Sequence, residues 1–247
     1  MIQRIMPDEG GERLKEMSFL DHLEELRSTI IASLAAWIGV SMVLWFLSRY
    51  LLNFLLADLP VESLYFTSPI GAFMIRIKLS FIVGFLVAFP YILFRVWAFV
   101  SPALFDQEKR HVVPLITAST ILFYLGVVFA YWILIPIVLK FLLRFGTDFL
   151  RPLISIDKYF SFVARICFAF GLVFQLPILI IFLTSIGLIS ARALIRQWRW
   201  AVIIIFTVSA ILTPPDPTSQ ILMAVPLVLL FLSSALIAII IEKRRGG

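Results

Sequence analysis

Two short acidic stretches are the places where this sequence could carry binding chemistry. Residues 20–27 contain Glu25, and residues 99–111 form a polar loop between two apolar runs with Glu108 beside Lys109. A carboxylate can bind the planar fork of an arginine through two parallel hydrogen bonds, and partial shielding from water strengthens the pair. The two carboxylates predict an acidic docking site for a basic partner. The alternative is that each lies on a solvated face, paired with a basic neighbour that contributes little stability.

The composition indicates that the elements positioning these carboxylates lie in a membrane. The chain has 247 residues, of which 62% are hydrophobic and only 15% are charged, against about 25% charged in a typical soluble domain. We therefore predict an all-α, polytopic membrane protein. The net charge of +6 follows from the bias of basic residues toward the cytoplasmic side of membranes, so no nucleic-acid partner is expected.

Six apolar segments predict six transmembrane helices. They cover residues 28–50, 73–99, 113–139, 159–186, 198–212 and 221–241. The last two spans are expected to be short, since the fifth would cross only about 22 Å of the roughly 30 Å hydrocarbon layer. Either the bilayer thins locally, or these two spans form a short hairpin packed against the longer helices. An amphipathic helix that starts at Ser18 leads into the first segment. Residues 18–245 then form one transmembrane domain, preceded by a flexible cytoplasmic tail over residues 1–17.

The distribution of lysine and arginine predicts the orientation. With the amino terminus inside, twelve basic residues lie in inner segments and four lie in outer loops. The outer four are Lys140, Arg144, Arg151 and Lys158. Because six spans return the chain to its starting side, both ends are predicted to be cytoplasmic. No cleavable signal peptide is visible in the polar first 27 residues.

Several residues inside the predicted spans break the apolar pattern. Each proline in a span removes one helix hydrogen bond and is expected to kink its helix. These prolines are Pro90, Pro136, Pro177 and Pro226. Arg165 can extend toward the membrane surface, whereas Gln175 lies deeper. A buried amide in lipid bonds to another helix, so Gln175 is either a packing contact or a polar lining for a partner or substrate.

No pattern in the sequence predicts an enzyme. No phosphate-binding loop, dinucleotide fingerprint, zinc-ligand spacing or nucleophile elbow is found, and no cofactor or metal is expected. A metal site built from His22, His111 and nearby carboxylates is a much weaker alternative. The turn at residues 213–220 is rich in proline and contains Asp216, which can cap the sixth helix.

Four motifs together resemble the TatC family, the signal-recognising core subunit of the twin-arginine protein translocase. They occur in the family's order, and the resemblance runs from about Ser18 to Arg245. The motifs are His-Leu-Glu-Glu-Leu-Arg at 22–27, Ser-Pro-Ala-Leu-Phe-Asp-Gln-Glu-Lys-Arg at 101–110, Phe-Gly-Leu-Val-Phe-Gln-Leu-Pro at 170–177 and Thr-Pro-Pro-Asp-Pro-Thr-Ser-Gln at 213–220.

The resemblance implies a six-helix protein of the cytoplasmic (inner) membrane, with a concave, hand-like shape. It implies binding of signal peptides that bear consecutive arginines, and assembly with the single-span TatA and TatB subunits. It also implies export of folded proteins driven by the proton-motive force, in a complex that holds more than one copy of this chain. By motif position, Glu25 and Glu108 match the family's acidic signal-contact residues, with the aromatic Phe99 beside them. Pro90 and Asp216 also match family positions.

Gln175 departs from the family pattern, which commonly has Glu at this depth in the membrane. A glutamine keeps the hydrogen bonding but cannot ionise, which argues against a proton-carrying role. Intramembrane Arg165 and Gln175 would also be compatible with a small-solute transporter or channel, although no internal repeat or charge-lined path supports one. A purely structural membrane subunit is the third class of function.

Overall fold

The regular structure of the described chain is helical, apart from one isolated backbone bridge at Tyr65. The computed structural model describes residues 19–57, 65, 70–101, 112–144, 154–213 and 216–245. The helices are α1 (Phe19–Ala57), α2 (Gly71–Val100), α3 (Val112–Phe129), α4 (Ile135–Leu143), α5 (Ile156–Val173), α6 (Leu176–Ser185), α7 (Ala191–Arg196), α8 (Trp198–Leu212) and α9 (Pro217–Arg245). A single π-helical turn, Ala130–Leu134, joins α3 to α4.

Six helical stretches correspond to the six predicted spans. Five are long and apolar enough to cross a membrane, and α8 is a shorter apolar helix. The prediction of an all-α membrane fold with a short fifth span is therefore confirmed. The sixth span is longer than expected, because α9 runs through 29 residues. It begins early, at a proline beside the capping residue Asp216, and continues past the apolar run into its basic end.

The first helix also extends beyond its predicted span. α1 contains 39 residues, or about 58 Å at 1.5 Å per residue, which is nearly twice the hydrocarbon thickness. The amphipathic stretch before the span is continuous with it, as the sequence indicates. At its other end, residues 51–57 continue the helix beyond the predicted first segment, which ends at residue 50. The apolar residues in this last part explain the extension, because nothing there breaks the helix.

The four intramembrane prolines divide into two kinds. Pro136 lies just after the π-helical turn, in the first turn of α4, and Pro177 lies in the first turn of α6, just after the break that follows α5. Pro90 and Pro226 lie inside the continuous helices α2 and α9. Only the first pair therefore coincides with an interruption of its helix.

Small residues set the closest helix contacts. A Cβ atom on Gly84 of α2 would collide with Oγ of Ser41 and lie 2.9 Å from the Cα of that residue, so α1 and α2 approach backbone to backbone there. On the other side of the bundle, Gly126 of α3 faces Phe174, and Gly171 of α5 faces Phe123. These interlocking pairs bring α3 and α5 together around the fully buried Phe123.

Two contacts tie together the chain segments at the far end of α1. The backbone N–H of Tyr65 donates to the carbonyl of Ile154 at 3.2 Å, and the N–H of Ile156 donates to the carbonyl of Tyr65 at 3.1 Å. Nearby in sequence, Nζ of Lys78 on α2 forms an ion pair of 2.6 Å with Asp157 in the first turn of α5. The start of α5 is thus fixed to both α2 and the segment after α1.

Candidate functional site

The predicted acidic residue Glu25 lies on a face of α1 that contacts α2. His22 and Ser28 lie one turn before and after Glu25, and both reach across to α2. The His22 ring stacks on Phe99 with ring centroids 4.4 Å apart, and Nη2 of Arg95 donates to Oγ of Ser28 at 3.3 Å. Because residues three apart share one side of a helix, Glu25 lies between these two contacts. We call these five residues the His22 end of the α1–α2 pair.

Two atoms of opposite charge at the His22 end lack a hydrogen-bond partner within the described residues. They are Oε2 of Glu25 and Nε of Arg95, and both are shielded from solvent. No ion pair joins the two side chains. Buried polar atoms are almost always hydrogen-bonded in folded proteins, because an unpaired one loses its contact with water without compensation. The His22 end therefore offers a shielded acceptor and a shielded donor that remain unpaired.

Some of the other predicted site residues lie within the described part of the chain, and others lie outside it. Phe99 stacks on His22, which lies one helical turn from Glu25, and its part in binding a signal peptide stays a prediction. Glu108 lies in residues 102–111, outside the described residues, so its meeting with Glu25 stays a prediction. His111 lies in the same segment, and no group of three metal-ligating side chains is found in the part of the chain that the structure describes.

Gln175 makes an interhelical hydrogen bond. Its Nε2 donates to the backbone carbonyl of Ser119 on α3 at 2.9 Å. The break between α5 and α6 leaves Gln175 at the N-cap of α6, two residues before Pro177, from which its side chain crosses to α3. This contact matches the packing interpretation of the amide, and it leaves the side-chain oxygen to accept a further bond.

Asp216 caps α9, because its Oδ2 accepts the backbone N–H of Ser219 at 2.7 Å. The next side chain, Gln220, ties α9 to α8 by donating from Nε2 to the carbonyl of Phe206 at 3.0 Å. Arg165 is exposed, and its Nε donates to the carbonyl of Ser161 in its own helix at 3.1 Å. None of these three residues contacts the His22 end.

The sequence analysis missed Arg95 and Ser28. Neither residue was given a role from the sequence. A signal was available, because His22, Glu25 and Ser28 are spaced three apart and Arg95 and Phe99 are spaced four apart. The first spacing places its three residues on one side of α1, and the second places its two residues on one side of α2.

Comparison with known proteins decides the family. The family described as "Sec-independent protein translocase protein (TatC)" matches residues 21–226. The chain belongs to the TatC family. It is similar to the TatC protein of Carboxydothermus hydrogenoformans, with 38% identity over 233 residues, 93% of this chain and 96% of the relative. TatC of Aquifex aeolicus is 39% identical over 221 residues, 87% of this chain and 92% of that protein.

A solved structure gives the same result for the fold. The structure titled "Crystal Structure of Twin Arginine Translocase Receptor- TatC" matches with a TM-score of 0.81 and 38% identity, covering 89% of this chain and 99% of that chain. The resemblance expected from the motifs is confirmed. The chain is a multi-pass membrane component of the Tat translocase, in a family of translocase components rather than enzymes, and it serves Sec-independent protein translocation.

Proposed function

We propose that this TatC protein is the core receptor subunit of its translocase. It binds twin-arginine signal peptides at an acidic cytoplasmic site that contains Glu25, Glu108 and Phe99. It assembles with single-span subunits of the TatA and TatB type, and the complex exports folded proteins with the proton-motive force. The relative whose solved structure it resembles is titled as the twin-arginine translocase receptor, which supports this role.

One observation carries the proposal. Oε2 of Glu25 is shielded from solvent and has no donor among the described residues, and His22, one helical turn away on α1, stacks on Phe99. An incoming guanidinium would supply the missing donors and could lie along the aromatic rings, since arginine stacks on flat groups more readily than lysine does. The site therefore matches the chemistry of an arginine side chain better than that of a compact ammonium group.

The expected energy of this contact sets the size of the effect. A hydrogen bond to a charged group contributes about 1.5–3 kcal/mol, which corresponds to about ten- to a hundredfold in affinity. Shielding from water protects the contact from salt more than an open surface would. Loss of the Glu25 charge should therefore remove most of the preference for arginine over lysine.

The experiment measures the affinity of Arg-Arg and Lys-Lys signal peptides for the full chain in nanodiscs. Glu25→Gln keeps the size of the side chain and removes its charge, and Glu108→Gln does the same in the second motif. The adjacent residue Glu24 is exposed, so Glu24→Gln is a matched control for the loss of one negative charge. We expect ten- to hundredfold weaker Arg-Arg binding in Glu25→Gln and less than twofold change in Glu24→Gln.

Two results would overturn the receptor proposal. One is a wild-type protein that binds Arg-Arg and Lys-Lys peptides equally. The other is a Glu25→Gln variant that loses no more affinity than Glu24→Gln, because the shielded carboxylate would then play no part in recognition.

The proposed orientation places both ends of the chain in the cytoplasm of a cell whose inner membrane holds the complex. The twelve-to-four distribution of basic residues supports it. In a Cys167→Ser background, an impermeant thiol reagent added outside should label Thr218→Cys and not Gln107→Cys. The opposite labelling pattern would reverse the orientation.

The partner subunits are proposed to use Gln175 as one docking point in the membrane. Its amide nitrogen already bonds to the carbonyl of Ser119, and its oxygen can accept a bond from a partner helix. More than one copy of the chain is expected in the assembled complex. Crosslinking of a TatA or TatB type helix beside Gln175 should weaken in Gln175→Leu. Unchanged crosslinking and export would leave Gln175 as a packing residue alone.

A further inference from the structure

Two arginines of α2 bond to two serines of α1, in different surroundings. At one end of the helix pair, Nε of Arg76 donates to Oγ of Ser48 at 2.9 Å, and its guanidinium lies 5.3 Å from the ring centre of Trp45. We call these three residues the Ser48 end. At the His22 end, Nη2 of Arg95 makes a longer bond of 3.3 Å to Ser28, and its Nε has no partner within the described residues.

The hydrogen-bond acceptor of Arg95 lies close along α1 to the carboxylate that is proposed to bind the signal peptide. Ser28, which accepts its hydrogen bond, is one helical turn from Glu25, and residues three apart on a helix have Cβ atoms about 5–6 Å apart. Glu25 and Ser28 are therefore close enough together for both to lie within reach of the long, flexible side chain of Arg95. In the present arrangement the two opposite charges stay apart, since no ion pair joins them.

We propose that Arg95 is an internal competitor of the signal-peptide arginine for Glu25. This inference rests on the proposed function and adds a residue that sets its specificity. Ser28 holds the guanidinium to one side of Glu25, from where it repels an arriving cation and can itself occupy the carboxylate. A segment with a single exposed cation meets this competition and binds weakly. A twin-arginine peptide overcomes it because its second arginine contributes a further contact.

The competition predicts opposite effects for two substitutions at one hydrogen bond. Arg95→Met keeps an apolar stem of similar length and removes the charge, so Arg-Arg peptides should bind about three- to tenfold more tightly, and Lys-Lys peptides should gain at least as much. Ser28→Ala frees Arg95 to bond with Glu25, so peptides should bind about two- to fivefold more weakly. In the Arg95→Met background, Ser28→Ala should have no effect, because the competitor is gone.

A purely structural role for Arg95 predicts a different result. If its bond to Ser28 only held α1 against α2, removing either partner would loosen the site and weaken binding in both variants. The Ser48 end supplies matched controls, because Arg76→Met and Ser48→Ala remove the same kind of interhelical bond away from Glu25. These two controls should lower the melting temperature and change peptide affinity by less than twofold.

The test measures the affinity of labelled Arg-Arg and Lys-Lys peptides for the full chain in nanodiscs, with the melting temperature of each variant. Tighter binding in Arg95→Met with weaker binding in Ser28→Ala supports the inference. Unchanged or weaker binding in a folded Arg95→Met overturns it. If Arg95→Met does not fold, Arg95→Gln replaces it with the same expected sign. Glu25→Gln distinguishes failure of the receptor proposal from failure of the competition proposal. If Glu25→Gln binds Arg-Arg peptides normally, the receptor proposal fails. If Glu25→Gln loses binding but Arg95→Met does not gain it, only the competition is refuted.

Discussion

Both ends of the α1–α2 pair have an arginine–serine hydrogen bond between the helices, but they differ in how many of their polar atoms are paired. At the Ser48 end, the guanidinium of Arg76 has a serine acceptor at 2.9 Å and the ring of Trp45 beside it. Oγ of Ser48 also donates to the carbonyl of Trp45 at 2.6 Å. At the His22 end, a guanidinium nitrogen of Arg95 and a carboxylate oxygen of Glu25 are shielded and unpaired among the described residues.

This difference separates stability from binding along a single pair of helices. A polar group with all its partners contributes to packing, whereas a shielded and unpaired charge is costly and persists where function requires it. The Ser48 end therefore holds α1 and α2 together, and the His22 end is the proposed source of the binding groups. Between them, Gly84 and Ser41 fix the distance between the helices for both ends.

The largest effect is expected from a substitution that pushes α1 and α2 apart along their whole contact. Gly84→Leu places a side chain where even a Cβ atom collides with Ser41, so it should cost about 1–3 kcal/mol or more and prevent close contact of α1 and α2. The measurements are the yield of monodisperse protein and its melting temperature. Gly39→Ala is the matched control, because a Cβ atom there has nothing within 4 Å. Equal stability of the two variants would contradict the close approach.

The next effect should fall on the Ser48 end alone. Arg76→Met removes a charge-assisted hydrogen bond and a cation–π contact, so the free energy of unfolding should fall by about 1–3 kcal/mol. Signal-peptide affinity should stay within twofold of wild type. A loss of peptide affinity larger than the loss at Glu25→Gln would show that the two ends do not divide the roles in this way.

The smallest effect is expected at Gln175, which lies outside the α1–α2 pair. Gln175→Leu removes one interhelical bond and should cost about 0.6–1 kcal/mol of stability. Gln175→Glu can donate to the carbonyl of Ser119 only as the neutral acid, so its stability should fall as the pH rises through the pKa of the new carboxyl group. The check is melting temperature against pH for both variants. A Gln175→Leu variant as stable as wild type would contradict a stabilising role for this hydrogen bond.

The spans could be predicted from sequence because hydropathy and length act locally. The apolar run of α8 is visibly short, and the six segments follow from composition alone. The full lengths of α1 and α9 exceed these apolar runs, because α1 meets no helix break at residues 51–57 and α9 begins at the Asp216 cap, which the sequence indicates, rather than at its apolar run. Local signals of this kind are weaker than a run of twenty apolar residues.

The candidate site was only partly predictable for a different reason. Glu25 and Phe99 were found through motifs, whereas the roles of Arg95 and Ser28 depend on which faces of α1 and α2 meet. That contact is fixed by the approach of Gly84 to Ser41, far away along both helices. One sequence gives the periodicity of each helix but not their relative rotation. The unpaired state of Glu25 and Arg95 is therefore visible only in the structure.

The central claim is that the shielded carboxylate of Glu25 receives a guanidinium of the signal peptide. A double-mutant cycle tests it directly, with Glu25→Gln in the protein and citrulline, a neutral relative of arginine, replacing each peptide arginine in turn. The account predicts a coupling free energy of about 1–3 kcal/mol between Glu25 and one arginine, and of less than about 0.5 kcal/mol for the exposed control Glu24→Gln. Coupling near zero between Glu25 and both arginines would contradict it.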